Sequence, residues 1–84
     1  MFKISISYCK VWHYTDRAVS LTVDLIKHYE HDIESITLVP SDGGRFEVEV
    51  NDKLLFSKLA TNRHAMPGEI MKLMNDTFQE GRKG

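Results

Sequence analysis

Residues 2–9 read Phe-Lys-Ile-Ser-Ile-Ser-Tyr-Cys, and this stretch sets the fold class. From Phe2 to Tyr8, large apolar side chains alternate with lysine or serine. A period of two predicts a β-strand with one buried face. The period then changes, because apolar residues recur at helical spacing from Thr15 to Tyr29. The chain therefore begins with a strand and continues into an amphipathic helix.

The predicted first helix has an unusually wide apolar face. Thr15 or Asp16 is the predicted N-cap. We interpret His28 and His31 as residues that compensate the negative end of the helix dipole, in preference to metal ligands. Its apolar residues form two adjacent stripes, which are Ala18, Leu21, Leu25 and Tyr29, and beside them Val19, Val23 and Ile26. Together they cover more than half of the circumference, so we expect part of this face to lie beyond the sheet.

The remaining two thirds of the chain contain three strands and a second helix. Pro40 to Gly44 is a dense turn signal, Asn51-Asp52 is a hairpin turn, and Pro67 suits the first turn of a helix. The predicted elements are a strand at Ile33–Val39, a hairpin of Arg45–Val50 and Lys53–Ser57, a polar loop from Lys58 to Met66, and a helix with Ile70, Leu73, Met74, Thr77 and Phe78 on its apolar face, ended by Gly81.

This order predicts an α/β fold. A helix between two strands usually makes a right-handed parallel crossover, and the hairpin adds antiparallel strands. The result is a β-α-β-β-β-α domain with a four-stranded mixed sheet and two helices, the minimal thioredoxin-like arrangement. We expect one domain over residues 1–80 and a disordered tail at 81–84, because 84 residues suffice for a single domain.

Composition excludes several classes of function. The net charge is −1, with 11 basic and 12 acidic side chains and no basic stripe, which argues against nucleic-acid binding. No apolar run approaches the roughly 20 residues of a membrane span. A single cysteine excludes an internal disulfide and any multi-cysteine metal site, so no metal or cofactor is predicted. The cytoplasm is the expected location.

Cys9 is the candidate reactive residue. It follows the first strand and precedes the first helix, where backbone N–H groups and the helix dipole favour a thiolate. The alternative is that Cys9 is a small buried apolar residue. His13 lies beside it in sequence and is a candidate to promote its ionisation. Trp12 and Tyr14 are candidate binding residues for a partner, or else pack locally.

Several short motifs, in order and in register over nearly the whole chain, resemble the selenoprotein W-like (Rdx) family. That family carries Cys-x-x-Cys or Cys-x-x-selenocysteine, followed by a tyrosine and often Arg-Ala. The matching stretches here are residues 8–14, Arg17-Ala18, Pro40, Gly43-Gly44, 46–48, 56–58, 62–64, where relatives often read Gly-Arg-His, and 67–70.

The resemblance implies a thioredoxin-like fold and a thiol-redox role with glutathione or thioredoxin-type partners. Cys9 matches the first cysteine of the motif, but Trp12 stands where the family has its second redox residue. Two-cysteine cycling within one chain is therefore excluded. A tryptophan codon is a single base from the cysteine and selenocysteine codons, so a cloning or annotation change is an alternative to natural loss.

Two functions remain open at this point. Cys9 could act alone by forming mixed disulfides with glutathione or a protein. Alternatively, the domain is a redox-silent interaction module that retains the fold. For either function, the apolar stripe of Val19, Val23 and Ile26 predicts a homodimer or a protein partner at the first helix.

Overall fold

A computed structural model describes residues 1–11, 14–66 and 68–78 of the chain. Its elements are β1 (Phe2–Cys9), α1 (Thr15–Tyr29), β2 (Ile33–Ser41), β3 (Phe46–Val50), β4 (Lys53–Ser57), α2 (Lys58–Thr61) and α3 (Glu69–Phe78). The predicted tail at 81–84 and the predicted helix end at Gly81 lie outside the described residues, as do Trp12, His13 and Pro67.

The four strands form one mixed sheet with the order β2-β1-β3-β4. β1 is parallel to β2 and antiparallel to β3, and β3 and β4 form an antiparallel hairpin. Ile4 lies opposite Ile36 on one side and Val50 on the other. The predicted α/β arrangement with adjacent parallel first and second strands is therefore confirmed.

The core lies on one face of the sheet. Ile4 and Ile6 of β1 belong to the same buried cluster as Leu25 of α1 and Met74 of α3. Because period-two alternation places Ile4 and Ile6 on a single face, α1 and α3 both pack there. Phe2 completes the cluster at its far end, with ring centroids 5.4 Å from Tyr29 and 5.3 Å from Phe78.

The β3–β4 hairpin turns through two residues with positive φ, 52° at Asn51 and 69° at Asp52. This is the type I′ geometry that matches strand twist, and asparagine and aspartate tolerate it better than most residues. The Asn51 side chain also accepts a hydrogen bond from the Lys3 backbone N–H at 2.9 Å. A register shift in β4 leaves Leu54 exposed while Phe56 is buried.

Two predicted boundaries differ from the structure. Tyr14, rather than Thr15 or Asp16, is the N-cap of α1, and its side chain makes no capping hydrogen bond. β2 continues through Pro40 to Ser41 instead of ending at Val39. β2 is an edge strand that pairs with β1 alone. No second strand therefore requires the backbone N–H group that Pro40 lacks.

The predicted loop from Lys58 to Met66 begins as a four-residue helix, α2. The Ser57 hydroxyl accepts a hydrogen bond from the Ala60 N–H at 3.3 Å and so caps its N-terminus. Asn62 closes its C-terminus with φ of 63° and an N–H bond to Lys58. Positive φ explains why glycine fits this position in the family pattern, and asparagine is the next best choice.

The second stripe of α1 is exposed, as its width predicted. Val19, Val23 and Ile26 are 47%, 44% and 45% exposed, whereas Ala18 and Leu25 of the first stripe are fully buried. The helices of the described residues are all too short or too polar to cross a membrane. The sheet thus covers one stripe of α1 and leaves the other uncovered.

Matched valine substitutions test this division. Val48 is fully buried in the central sheet, so Val48→Ala should lower the free energy of unfolding by roughly 2 kcal/mol. Val23→Ala should leave it within about 0.5 kcal/mol, because an exposed helix position loses little burial and alanine is the better helix former. Urea denaturation followed by circular dichroism measures both. Equal losses would mean that the second stripe is core.

Candidate functional site

Cys9 ends β1 and begins the connection to α1. It lies opposite Ser41 of β2, and the Lys10 N–H donates to the Ser41 carbonyl at 3.0 Å. The Tyr14 N–H donates to the Cys9 carbonyl at 3.3 Å, which holds the two ends of the connection together. Cys9 thus lies at the end of β1 and before α1, the placement in the chain that the sequence predicted.

The Cys9 side chain is fully buried, with 0% exposure. Within the described residues, it is not a member of the core cluster that contains Ile4 and Ile6. A disulfide partner in solution cannot reach the sulfur without a local movement. By the exposure criterion alone, Cys9 resembles a buried apolar cysteine.

Tyr14 is half-buried and packs within the domain. Its ring centroid lies 6.4 Å from that of Phe46 and 4.5 Å from that of His64, both edge to face. The Lys58 ammonium lies 5.9 Å from the Tyr14 centroid. Of the four predicted site residues, the structure brings Cys9 and Tyr14 together, whereas Trp12 and His13 lie outside the described residues.

His64 is the site residue whose role the sequence did not reveal. It lies between Tyr14 and Phe46, with its ring centroid 5.8 Å from Phe46. Burial lowers the pKa of His64 below its usual value of 6.5, and the positive charges of Arg17 and Lys58 lower it further. His64 is therefore neutral at pH 7. In the sequence, His64 is marked only by the Asn62-Arg63-His64 stretch of the family resemblance, which does not indicate what the histidine does.

The lowered pKa of His64 has a defined effect on stability. The unfolded chain binds a proton at about 6.5, whereas the folded chain resists protonation until a lower pH. Acidification below pH 6.5 therefore favours the unfolded state. Well above pH 6.5 His64 imposes no such penalty on folding, and the penalty grows as the pH falls from 6.5 through the lower pKa of the folded state.

Arg63 and Glu69 fix the segment that carries His64. Their side chains form a bidentate ion pair with N–O distances of 2.7 and 2.9 Å. Glu69 also accepts a hydrogen bond from the Met66 N–H at 2.8 Å, as the glutamate of a capping box does, and Arg63 donates to the His64 carbonyl at 3.1 Å. The Arg63–Glu69 ion pair, which we call the clamp, therefore connects residues 62–64 to the start of α3.

The ionised form of Glu69 is strongly favoured. Hydrogen bonds from Arg63, then from the Met66 backbone, lower the pKa of Glu69 from 4.5 to about 2. In the described residues, no group of three or more His, Cys, Asp or Glu side chains is arranged to hold a metal ion. The side chains that meet in this region are those of Tyr14, Phe46 and His64, and the Lys58 ammonium lies beside the Tyr14 ring.

Glu69→Gln tests the clamp. The lowered pKa means that Glu69 stabilises the fold above pH 4.5 and that this stabilisation disappears as the pH falls to about 2. We expect Glu69→Gln to lower the free energy of unfolding at pH 7 by about 1 kcal/mol, and to differ little from wild type near pH 2.

The matched control for this experiment is Glu49→Gln, because Glu49 is exposed on β3. Urea unfolding at a series of pH values gives both comparisons. A loss of stability for Glu69→Gln that is the same at pH 7 and pH 2 would contradict an electrostatic clamp.

Comparison with known proteins places this geometry in a family. The model of the Rdx family matches residues 3–76. A selenoprotein W-related protein from Vibrio cholerae has a similar structure, with a TM-score of 0.85 and 24% identity over 90% of this chain and 95% of that one. A protein from Bordetella parapertussis is similar, with a TM-score of 0.86 and 22% identity over 92% and 98% of the two chains.

A search of curated proteins gave no match. The two solved structures show the fold, and the family match extends from the second residue of β1 through most of α3. The chain belongs to the selenoprotein W-like Rdx family.

Proposed function

We propose that the chain is a monothiol redox protein that works through Cys9. The observation that carries the proposal is the position of Cys9 at the end of β1, one short connection before the N-terminus of α1. The family match spans this region, and the redox motif that the resemblance implies begins at Cys9. The positive end of the α1 dipole would favour a thiolate at Cys9 over a free thiol.

The proposed reaction is thiol–disulfide exchange. The Cys9 thiol loses its proton to solvent, and the thiolate attacks one sulfur of a glutathione or protein disulfide. A new S–S bond to Cys9 forms as the old one breaks, and the other half leaves as a thiolate. A second thiol, from glutathione or a thioredoxin-type protein, reverses the step. This chemistry suits a reducing compartment such as the cytoplasm, where we propose the protein acts.

Burial of Cys9 makes this reaction dependent on opening. The sulfur is fully covered in the folded state, so attack requires the connection after β1 to move. Local openings of this kind cost less free energy than global unfolding when they involve few buried contacts. We therefore expect exchange to be slow in the native protein and much faster in denaturant.

Alkylation of Cys9 against pH is the test. In native protein, the iodoacetamide rate should rise with a midpoint below about 8.5, the value for an unperturbed thiol. Oxidised glutathione should add one glutathionyl group, detected by mass spectrometry, and Cys9→Ser should add none. A native protein whose Cys9 reacts no faster than the free energy of global unfolding allows would identify Cys9 as structural.

Trp12→Cys provides a gain-of-function companion to this test. The family motif separates its two redox residues by two positions, so Cys9 and a cysteine at position 12 should close to a disulfide under mild oxidation. Loss of two thiols per chain in a colorimetric titration would show this. Two persistently reduced thiols would mean that the connection no longer has redox geometry.

The second candidate function is a redox-silent interaction module. Two observations favour it, namely the complete burial of Cys9 and the exposed apolar stripe of Val19, Val23 and Ile26. Apolar patches of this kind often mark interfaces. In this proposal, α1 mediates a homodimer or binds a protein partner, and the cysteine only fills space at the end of β1.

Val23→Glu separates association from folding. Val23 is 44% exposed, so the variant should fold with nearly unchanged stability. If the stripe pairs two copies, sedimentation at micromolar concentration should show a dimer for wild type and a monomer for Val23→Glu. The matched control is Leu54→Glu, which places the same side chain at an exposed apolar position of β4, outside α1. A monomeric wild type would remove the homodimer.

A further inference from the structure

A groove of about 520 Å³ lies between α1 and residues 64–66 and 68–71. Phe46 and His64, which also belong to the aromatic cluster, line one part of it. The lining combines apolar side chains, which include Leu21, Ile70 and Met71, with charged side chains of α1.

The α1 wall of the groove carries two exposed carboxylates. Asp16 and Asp24 both line it, and neither forms an ion pair or hydrogen bond with another described residue through its side chain. Eight helical positions separate them by about 12 Å along the axis. Arg17 also lines the groove near His64, where its positive charge would repel a basic ligand. Arg17 is adjacent to Asp16 in sequence, so Asp24 is the carboxylate whose charge is less compensated.

We propose that this groove binds an extended segment of a partner protein in which apolar residues lie between two basic ones. The apolar side chains would contact Leu21 and Met71, and methionine adapts its shape to varied neighbours. A basic side chain would pair with Asp24. An extended chain of about four residues spans the distance between Asp16 and Asp24. The proposal goes beyond thiol exchange and does not require it, since Cys9 is not a lining residue.

The size and shape of the groove fit this occupant. Its volume lies within the range of roughly 300–1,000 Å³ typical of ligand sites. Exposed residues form its rim on α1 and at Met66, so the groove is open along its length to a chain that continues beyond both ends. Apolar contacts along the floor would supply affinity, and the carboxylates would select basic over acidic segments.

Two matched heptapeptides test the proposal in the Cys9→Ser background, which removes thiol chemistry. One reads Gly-Lys-Leu-Ser-Leu-Lys-Gly, and in the other both lysines are replaced by glutamate. Titration into ¹⁵N-labelled protein should give saturable shifts at Leu21, Asp24 and Met71 with the basic peptide only. Added salt should weaken this binding, because the charges are exposed.

Asp24→Asn should weaken the basic peptide about fivefold, and Asp76→Asn should change its affinity by less than about twofold. Asp76 is the matched control because it is an exposed aspartate on α3 outside the groove lining. Equal binding of the acidic peptide, shifts centred elsewhere, equal effects of the two variants, or no saturation would each overturn the proposal. A Cys9 that fails to exchange thiols leaves this result unaffected.

Discussion

The rest of the structure depends on the hydrogen bonding of β1 along both of its edges. β1 pairs with β2 on one side and β3 on the other, so it occupies an interior position of the sheet. Its period-two pattern directs Ile4 and Ile6 towards the helices, and a slip of one residue would turn them away from the core. The register that builds the core therefore also places Cys9 at the end of the strand, next to the connection to α1.

The position of Cys9 in the chain and its burial point to different roles. Its place at the end of β1, before α1, is the one for which we propose a reactive thiol, whereas its complete burial is that of a packed side chain. Local opening reconciles these two properties, because reactivity then depends on how often the connection after β1 moves. The hydrogen bond from Tyr14 to the Cys9 carbonyl opposes this movement. The packing of Tyr14 against His64 and Phe46 restrains the same connection from its other end.

The sequence predicted the parts of the fold that depend on periodicity and turn chemistry. The alternation in β1 and β3, the helical spacing of α1 and the Asn51-Asp52 turn all appear where expected. The N-cap at Tyr14 was missed because Thr15 and Asp16 are the better capping residues by type. α2 was missed because a four-residue helix has too few positions for a period, and its signal is the capping by Ser57.

The candidate site was only partly predictable because its members interact across long sequence separations. Cys9 and Tyr14 are close in sequence, and local reasoning identified both. His64 joins them through contacts that no periodicity encodes, held by an ion pair between Arg63 and Glu69. Residues 62–64 and 67–70 are separate motifs of the family resemblance. The clamp connects them physically, because Arg63 supplies the cation and Glu69 the carboxylate of one ion pair.

The residues that stabilise this domain are distinct from Cys9, the proposed redox residue. The core rests on β1, β3 and the two longer helices, and the clamp rests on Arg63 and Glu69. Trp12 stands at the family's second redox position and lies outside the described residues. With a single cysteine, the chain cannot store oxidation as an internal disulfide. Any redox role that remains must be shared with a thiol from another molecule, which makes recognition of the partner part of the chemistry.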